Sequence, residues 1–134
     1  MADISVTAAN VVKVAGAATD RGTAGETITA GMPVYLKASD NLLYKADADG
    51  SGTTTVIGIS LHAALANQPL EYLTGGSLTF NAVLTAGTIY TASDTAGGIR
   101  PAVDNNSGDT ISILGVASST TVLVVKIHNS GCVL

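Results

Sequence analysis

The chain is 134 residues long, 46% hydrophobic, 12% charged and 4% aromatic, with 15 Gly, one Cys and no Trp. That length fits one domain, with a core able to bury roughly two thirds of the unfolded surface, and the hydrophobic content is too high for a disordered segment. A net charge of −4 with six scattered basic residues argues against binding a phosphate backbone. A single cysteine rules out an internal disulfide or a Cys-rich zinc site.

No basic stretch followed by an apolar run occurs at Met1-Ala2-Asp3-Ile4, so no signal peptide is expected. The longest uncharged stretch, residues 72–93, is broken by Gly75-Gly76, Asn81 and many Ser and Thr. It alternates instead of running continuously apolar, so no membrane span is expected.

Alternation predicts strands through most of the chain. Ile4–Ala8 and Val11–Val14 carry the first of them, and together with the residues around them form an N-terminal arm, residues 1–20. Gly16 to Gly25 is small, polar and Gly-containing and reads as a flexible connection. Strands follow at Thr27–Thr29, Pro33–Lys37, Leu42–Lys45 and Val56–Ser60, with turn signals at Ala30-Gly31, Ser39-Asp40-Asn41 and Asp49-Gly50-Ser51-Gly52. Ser60–Ala66 alone has helix propensity, for a turn or two. Further strands are predicted at Leu70–Leu73, Ser77–Leu84, Ile89–Thr91, Thr110–Val116 and Thr121–His128. Short strands punctuated by turns point to an all-β fold, a small antiparallel sandwich or barrel over residues 21–134 with little helix.

The chain also repeats itself. Thr29-Ala30-Gly31, Val34-Tyr35 and Ala38-Ser39-Asp40 are echoed by Thr85-Ala86-Gly87, Ile89-Tyr90 and Ala92-Ser93-Asp94. Ser51-Gly52 and Ile57-Gly58-Ile59 are echoed by Ser107-Gly108 and Leu114-Gly115-Val116. Two similar halves, about 26–66 and 82–128, suggest a pseudo-symmetric domain.

Candidate chemistry is sparse. Asp47-Ala48-Asp49-Gly50-Ser51-Gly52 resembles the opening of a calcium loop, but that loop needs a bidentate Glu where this chain has Gly58, and it needs flanking helices. A tight acidic turn between strands is expected, with no metal site. His62 and His128 have no Cys or carboxylate at ligand spacing. Cys132 lies in the tail and reads as a small packing residue, with an exposed thiol as the alternative. No Gly-x-Ser-x-Gly elbow or phosphate loop occurs, and Asn105-Asn106-Ser107 matches the glycosylation pattern with no secretory context. Tyr35, Tyr44, Tyr72, Tyr90 and Phe80 are spread one to a strand, unlike a stacking platform for single-stranded nucleic acid. No catalytic residue, cofactor, nucleic acid or membrane partner is expected, and the chain is not expected to be an enzyme. A surface poor in charge is suited to being covered by neighbours. The arm either adds a strand to a partner's sheet edge or pairs within its own domain.

The residues Ile4-Ser5-Val6-Thr7-Ala8-Ala9-Asn10-Val11, Arg21-Gly22-Thr23-Ala24-Gly25-Glu26-Thr27-Ile28-Thr29-Ala30-Gly31, Gly58-Ile59-Ser60-Leu61, Gln68-Pro69-Leu70, Gly97-Gly98-Ile99 and Leu114-Gly115-Val116-Ala117 run through to the Gly131–Leu134 tail. In these segments the chain resembles the decoration (cement) proteins of tailed-bacteriophage heads, with a looser similarity to lambda-type head decoration proteins. The resemblance implies a non-enzymatic virion protein. It would be made in the bacterial host cytoplasm, sit on the outer surface of the head as a homotrimer, and bind the major capsid protein to stabilise the expanded lattice. The contact residues expected on this reading are Ile4, Val6, Val11, Val12 and Val14 of the arm, clamping a capsid edge, and Val133 and Leu134 at a subunit contact. Two other classes remain open: another small phage structural protein of the tail, baseplate or fibre base, and a cell-surface carbohydrate-binding module.

Overall fold

β-Branched and apolar residues at alternate positions make strands wherever a backbone partner is within reach. The structure, a computed structural model, describes residues 3–50 and 53–134. It holds ten strands: β1 Val12–Lys13, β2 Ala18–Thr23, β3 Pro33–Leu36, β4 Leu43–Lys45, β5 Gly58–Ser60, β6 Pro69–Thr79, β7 Ile89–Ala92, β8 Ile99–Pro101, β9 Thr110–Ala117 and β10 Val122–Val133. Two three-residue 3-10 turns, Ala8–Asn10 and Ala102–Asp104, are the helical content of the described residues. The all-β expectation holds, and the form is one antiparallel sheet curled into a half-barrel.

Strand order is β4-β3-β5-β6-β10-β9-β7-β8, which is palindromic: the two halves of the repeat meet at the β6–β10 pair. Registers repeat as well. Val34 pairs with Lys45 and with Gly58 in the first half, and Tyr90 pairs with Pro101 and with Gly115 in the second. The repeating unit is four strands, Pro33 to Thr79 and Ile89 to Val133, longer at its C-terminal end than the windows 26–66 and 82–128.

One apolar cluster lies inside the curl and draws on both halves, among them Tyr35, Ile59, Leu73, Leu78, Phe80, Tyr90, Ile99, Leu114 and Leu123. A second, made of Ala24, Ile28, Val34, Leu43, Ala64, Leu70 and Tyr72, fills the first half from its other side. The segment after β4 ties the halves together. Ala48 N donates to Ser93 O at 2.9 Å, Thr110 N donates to Ala48 O at 2.8 Å, and the Asn129 amide both accepts from Val56 N and donates to Val56 O. Asn129 thereby bonds as a strand backbone does, which satisfies a segment that has no strand neighbour of its own.

Several expectations are corrected. Gly16–Gly25 is not a flexible connection, because Ala18–Thr23 is β2, paired in full with β6. The arm boundary at residue 20 therefore falls inside a strand. β1 and β2 lie along the same edge of β6, interrupted by a bulged turn at which Gly16 takes φ +89°. The arm pairs in cis. Ile4–Ala8 is not a strand, although Ile4 N donates to Ile99 O at 2.8 Å. Leu70–Leu73 and the start of Ser77–Leu84 fuse into β6, which ends at Thr79: Gly75 and Gly76 stay in the ladder opposite Lys126 and Val125, and the register with β2 slips by one residue at Thr74. Ser60–Ala66 forms no helical turn; Ser60 ends β5 and Ala64 bridges to Ile28. Thr27–Thr29 shrinks to that one bridge. β8, Ile99–Pro101, is too short and too Gly-flanked to stand out in the sequence. No helix among the described residues is long and apolar enough to cross a membrane.

Candidate interaction surface

The buried polar centre of the molecule is a clamp on the arm. Arg100 is 4% exposed, and its guanidinium donates to Asp3 Oδ1 through Nε (3.0 Å) and Nη2 (2.9 Å), and to Asp94 Oδ1 through Nη2 (2.6 Å). Nη1 lies 3.8 Å from Asp109 Oδ2 and donates to Asp104 O at 3.4 Å. Burial opposes the charge on Arg100, but the Asp3 hydrogen bonds and the charges of Asp3, Asp94 and Asp109 outweigh it and hold the group protonated. The Asn106 amide first, then Arg100, holds Asp94 below the usual carboxylate range. Ser93 Oγ adds a 2.6 Å bond to Asp3, and Asn81 accepts from Thr7 N and donates to Ser5 O. One end of the arm is thus fixed to the second half by charge and the middle by a side-chain amide. This is a structural latch.

The arm contact residues separate into two sets. Ile4 and Val6 are half-buried against the main core, and Val11 is inside it. A Cβ on Gly31, which takes φ +82°, would stand 2.8 Å from Val6 and 3.0 Å from Val11. These three side chains are packed against the protein's own core. Val12 and Val14 are exposed on the sheet. Val133 and Leu134 are also exposed, but β10 carries them roughly 30 Å along the strand from Val124. Leu134 N donates to Asp109 O there. The structure does not gather the seven residues into one surface.

It does gather others. Directly paired residues on neighbouring strands share a face. Val124 pairs with Ser77 on β6 and Val116 on β9, and Val116 pairs with Ile89 on β7. Val14 N donates to Ser77 O, so Val14 extends the same row, and Val12–Thr79–Val122 forms the row beside it. The result is a β-branched stripe across β1, β6, β10, β9 and β7 on the side facing away from the core. Ile89, Val116 and Val124 are 42%, 42% and 43% exposed. Ile89 opens onto a shallow depression of about 340 Å³ whose far side is Ala102 and Val103, the latter 90% exposed. Sequence alternation shows that such residues point away from one face; only register places them side by side.

The other candidates carry less. Asp47-Ala48-Asp49-Gly50 is a turn, with Asp49 N donating to Asp47 Oδ1 at 3.2 Å; Ser51 and Gly52 lie outside the described residues. No group of three metal-ligating side chains occurs among the described residues. Burial first, then Asp49 and Asp94, pushes the Asp47 carboxyl up to about 6. A group whose folded value exceeds the unfolded one of about 3.9 stabilises the fold below about pH 4 and loses that contribution as pH rises through 6. Asp47→Asn should therefore raise the melting temperature at pH 8 by a few degrees and change little at pH 4. A variant melting lower than the native chain at pH 8 would contradict this. His62 is tied to its own loop, with Nε2 3.1 Å from Glu71 N and Nδ1 3.0 Å from Ala63 O. Cys132 does not pack: its thiol is exposed. No family model matches the chain, and no curated protein matches its sequence.

Proposed function

We propose that this chain is a non-enzymatic structural protein of a bacteriophage virion, one that binds the outer surface of the head, contacts the major capsid protein and stabilises the expanded lattice. The observation that carries the reading is the β-branched stripe, an apolar face left uncovered on a protein with little surface charge. The similarity to phage decoration proteins noted from the segments around Ile4–Val11 and Arg21–Gly31 points the same way. Such a protein does no chemistry. It favours the expanded shell only by binding it better than the unexpanded one, an effect of mass action. Assembly as a homotrimer belongs to the same proposal. Stoichiometry tests it: near one copy per capsid subunit in purified virions is expected, and absence from virions would remove the reading.

A place in the tail, baseplate or fibre base suits the same apolar face and differs only in copy number. A carbohydrate-binding module is disfavoured by the aromatic side chains, since Phe80, Tyr35, Tyr72 and Tyr90 are buried and Tyr44 alone is left half-buried, a single ring where a stacking platform needs several.

A further inference from the structure

We infer that the outward face of β1, β6, β10, β9 and β7 is the seat for a concave, apolar, acid-rimmed patch on another protein, formed where shell subunits meet. This rests on the functional reading above; of the expected contacts it keeps Val12 and Val14 and sets aside Ile4, Val6, Val11, Val133 and Leu134. Three observations carry it.

The first is composition. Across the rows from Val14 to Ile89 and from Val12 to Ser118, the outward positions are Val, Ile, Ser and Thr. The next outward residue on β10 is Lys126, exposed and paired with Gly75. No carboxylate occupies these positions, although the chain carries ten acidic against six basic residues. A partner with carboxylates at the rim of an apolar patch complements that charge.

The second is area. Four strand spacings of about 4.8 Å and two rows give a stripe on the order of 300 Å². A stable dimer buries roughly 800 Å² on each partner. The third is shape. The core lies inside the curl, so this face is its convex side. Two convex copies would meet over even less than the stripe, so a second copy is the wrong occupant. A concave partner reaches the stripe together with its flanks, the depression beside Val103 included.

The test uses the full chain and expanded heads from which it has been stripped, with co-sedimentation as the readout. The variants are Val116→Lys with Val124→Lys, and Lys126→Glu. All three positions are exposed, so melting temperatures within a few degrees of the native chain are expected. The native chain should bind, with affinity falling as salt rises. The double variant should bind at least tenfold more weakly, and Lys126→Glu severalfold more weakly. Native binding matched by both variants would overturn the seat while leaving the functional reading intact. Native chain that fails to bind heads would overturn both. A native dimer that the double variant dissociates in sedimentation velocity would show a second copy on the face and overturn the proposal.

Discussion

Arg100→Ala should be the most damaging single substitution in the clamp, lowering stability by about 3–5 kcal/mol and the melting temperature by roughly 10–20 °C. The reason is asymmetry. The native guanidinium is shared by Asp3, Asp94 and Asp109, and Asp109 is only 2% exposed. Alanine leaves those carboxylates facing one another without a counter-charge, and the cost of an uncompensated buried charge exceeds the net worth of the pair it replaces. Asp3→Asn tests the other side of the contact. Asp3 has a side chain 24% exposed and can recruit water, so its loss should cost only about 1–2 kcal/mol. Thermal unfolding of both variants checks the ranking; equal losses would mean that the arm, and not the buried charge, is what Arg100 secures.

Gly115→Ala should be nearly as costly, about 3 kcal/mol, at the upper end of what overpacking does. An added Cβ would stand directly against the Val124 carbonyl oxygen, with the Val125 Cα 3.0 Å away. The atoms in the way are backbone of β10, paired to β9 in register at Val125 and Gly115, so they cannot rotate aside. Gly58 holds the equivalent place in the first half, where the Leu73 carbonyl oxygen lies 2.8 Å from the added atom. Gly75→Ala is the control. Nothing lies within 4 Å of its Cβ position, so its melting temperature should stay close to the native value. If Gly115→Ala melts like Gly75→Ala, the close approach of β9 to β10 is not what requires glycine there.

That pair of glycines shows what the sequence made legible. Ile57-Gly58-Ile59 and Leu114-Gly115-Val116 stand out as a repeat, and the palindromic strand order is the same repeat expressed in hydrogen bonds. The strands with dense β-branched or aromatic alternation, such as Pro33–Leu36 and Thr110–Ala117, are where alternation placed them. β2 was hidden because Ala18-Thr19-Asp20-Arg21-Gly22-Thr23 has neither alternation nor strong β propensity. It is extended because the edge of β6 offers it a ladder, a non-local cause that no local window records. β6 reads as two strands for the opposite reason: Gly75-Gly76 is a common turn signal, yet both glycines stay in the ladder opposite β10, Gly76 at φ +99°, and the register with β2 slips at the neighbouring Thr74.

The surface was legible only in part. Of the apolar residues the sequence offers as contacts in the arm, Val12 and Val14 are exposed on the stripe, whereas Ile4, Val6 and Val11, in the same segment, pack against the molecule's own core. An apolar arm looks the same in sequence whether its side chains face a partner or their own core. Val116, Val124 and Ile89 do not stand out in the sequence, because nothing local distinguishes an outward β-branched residue from an inward one. Register across β7, β9 and β10 makes them neighbours.

The central claim, that this chain coats a phage head, is tested most directly by its copy number in purified virions, quantified by mass spectrometry against the major capsid protein. The account predicts a ratio near one to one across the lattice. A few copies per particle would place the chain at the tail or a vertex, and its absence from virions would contradict the claim outright.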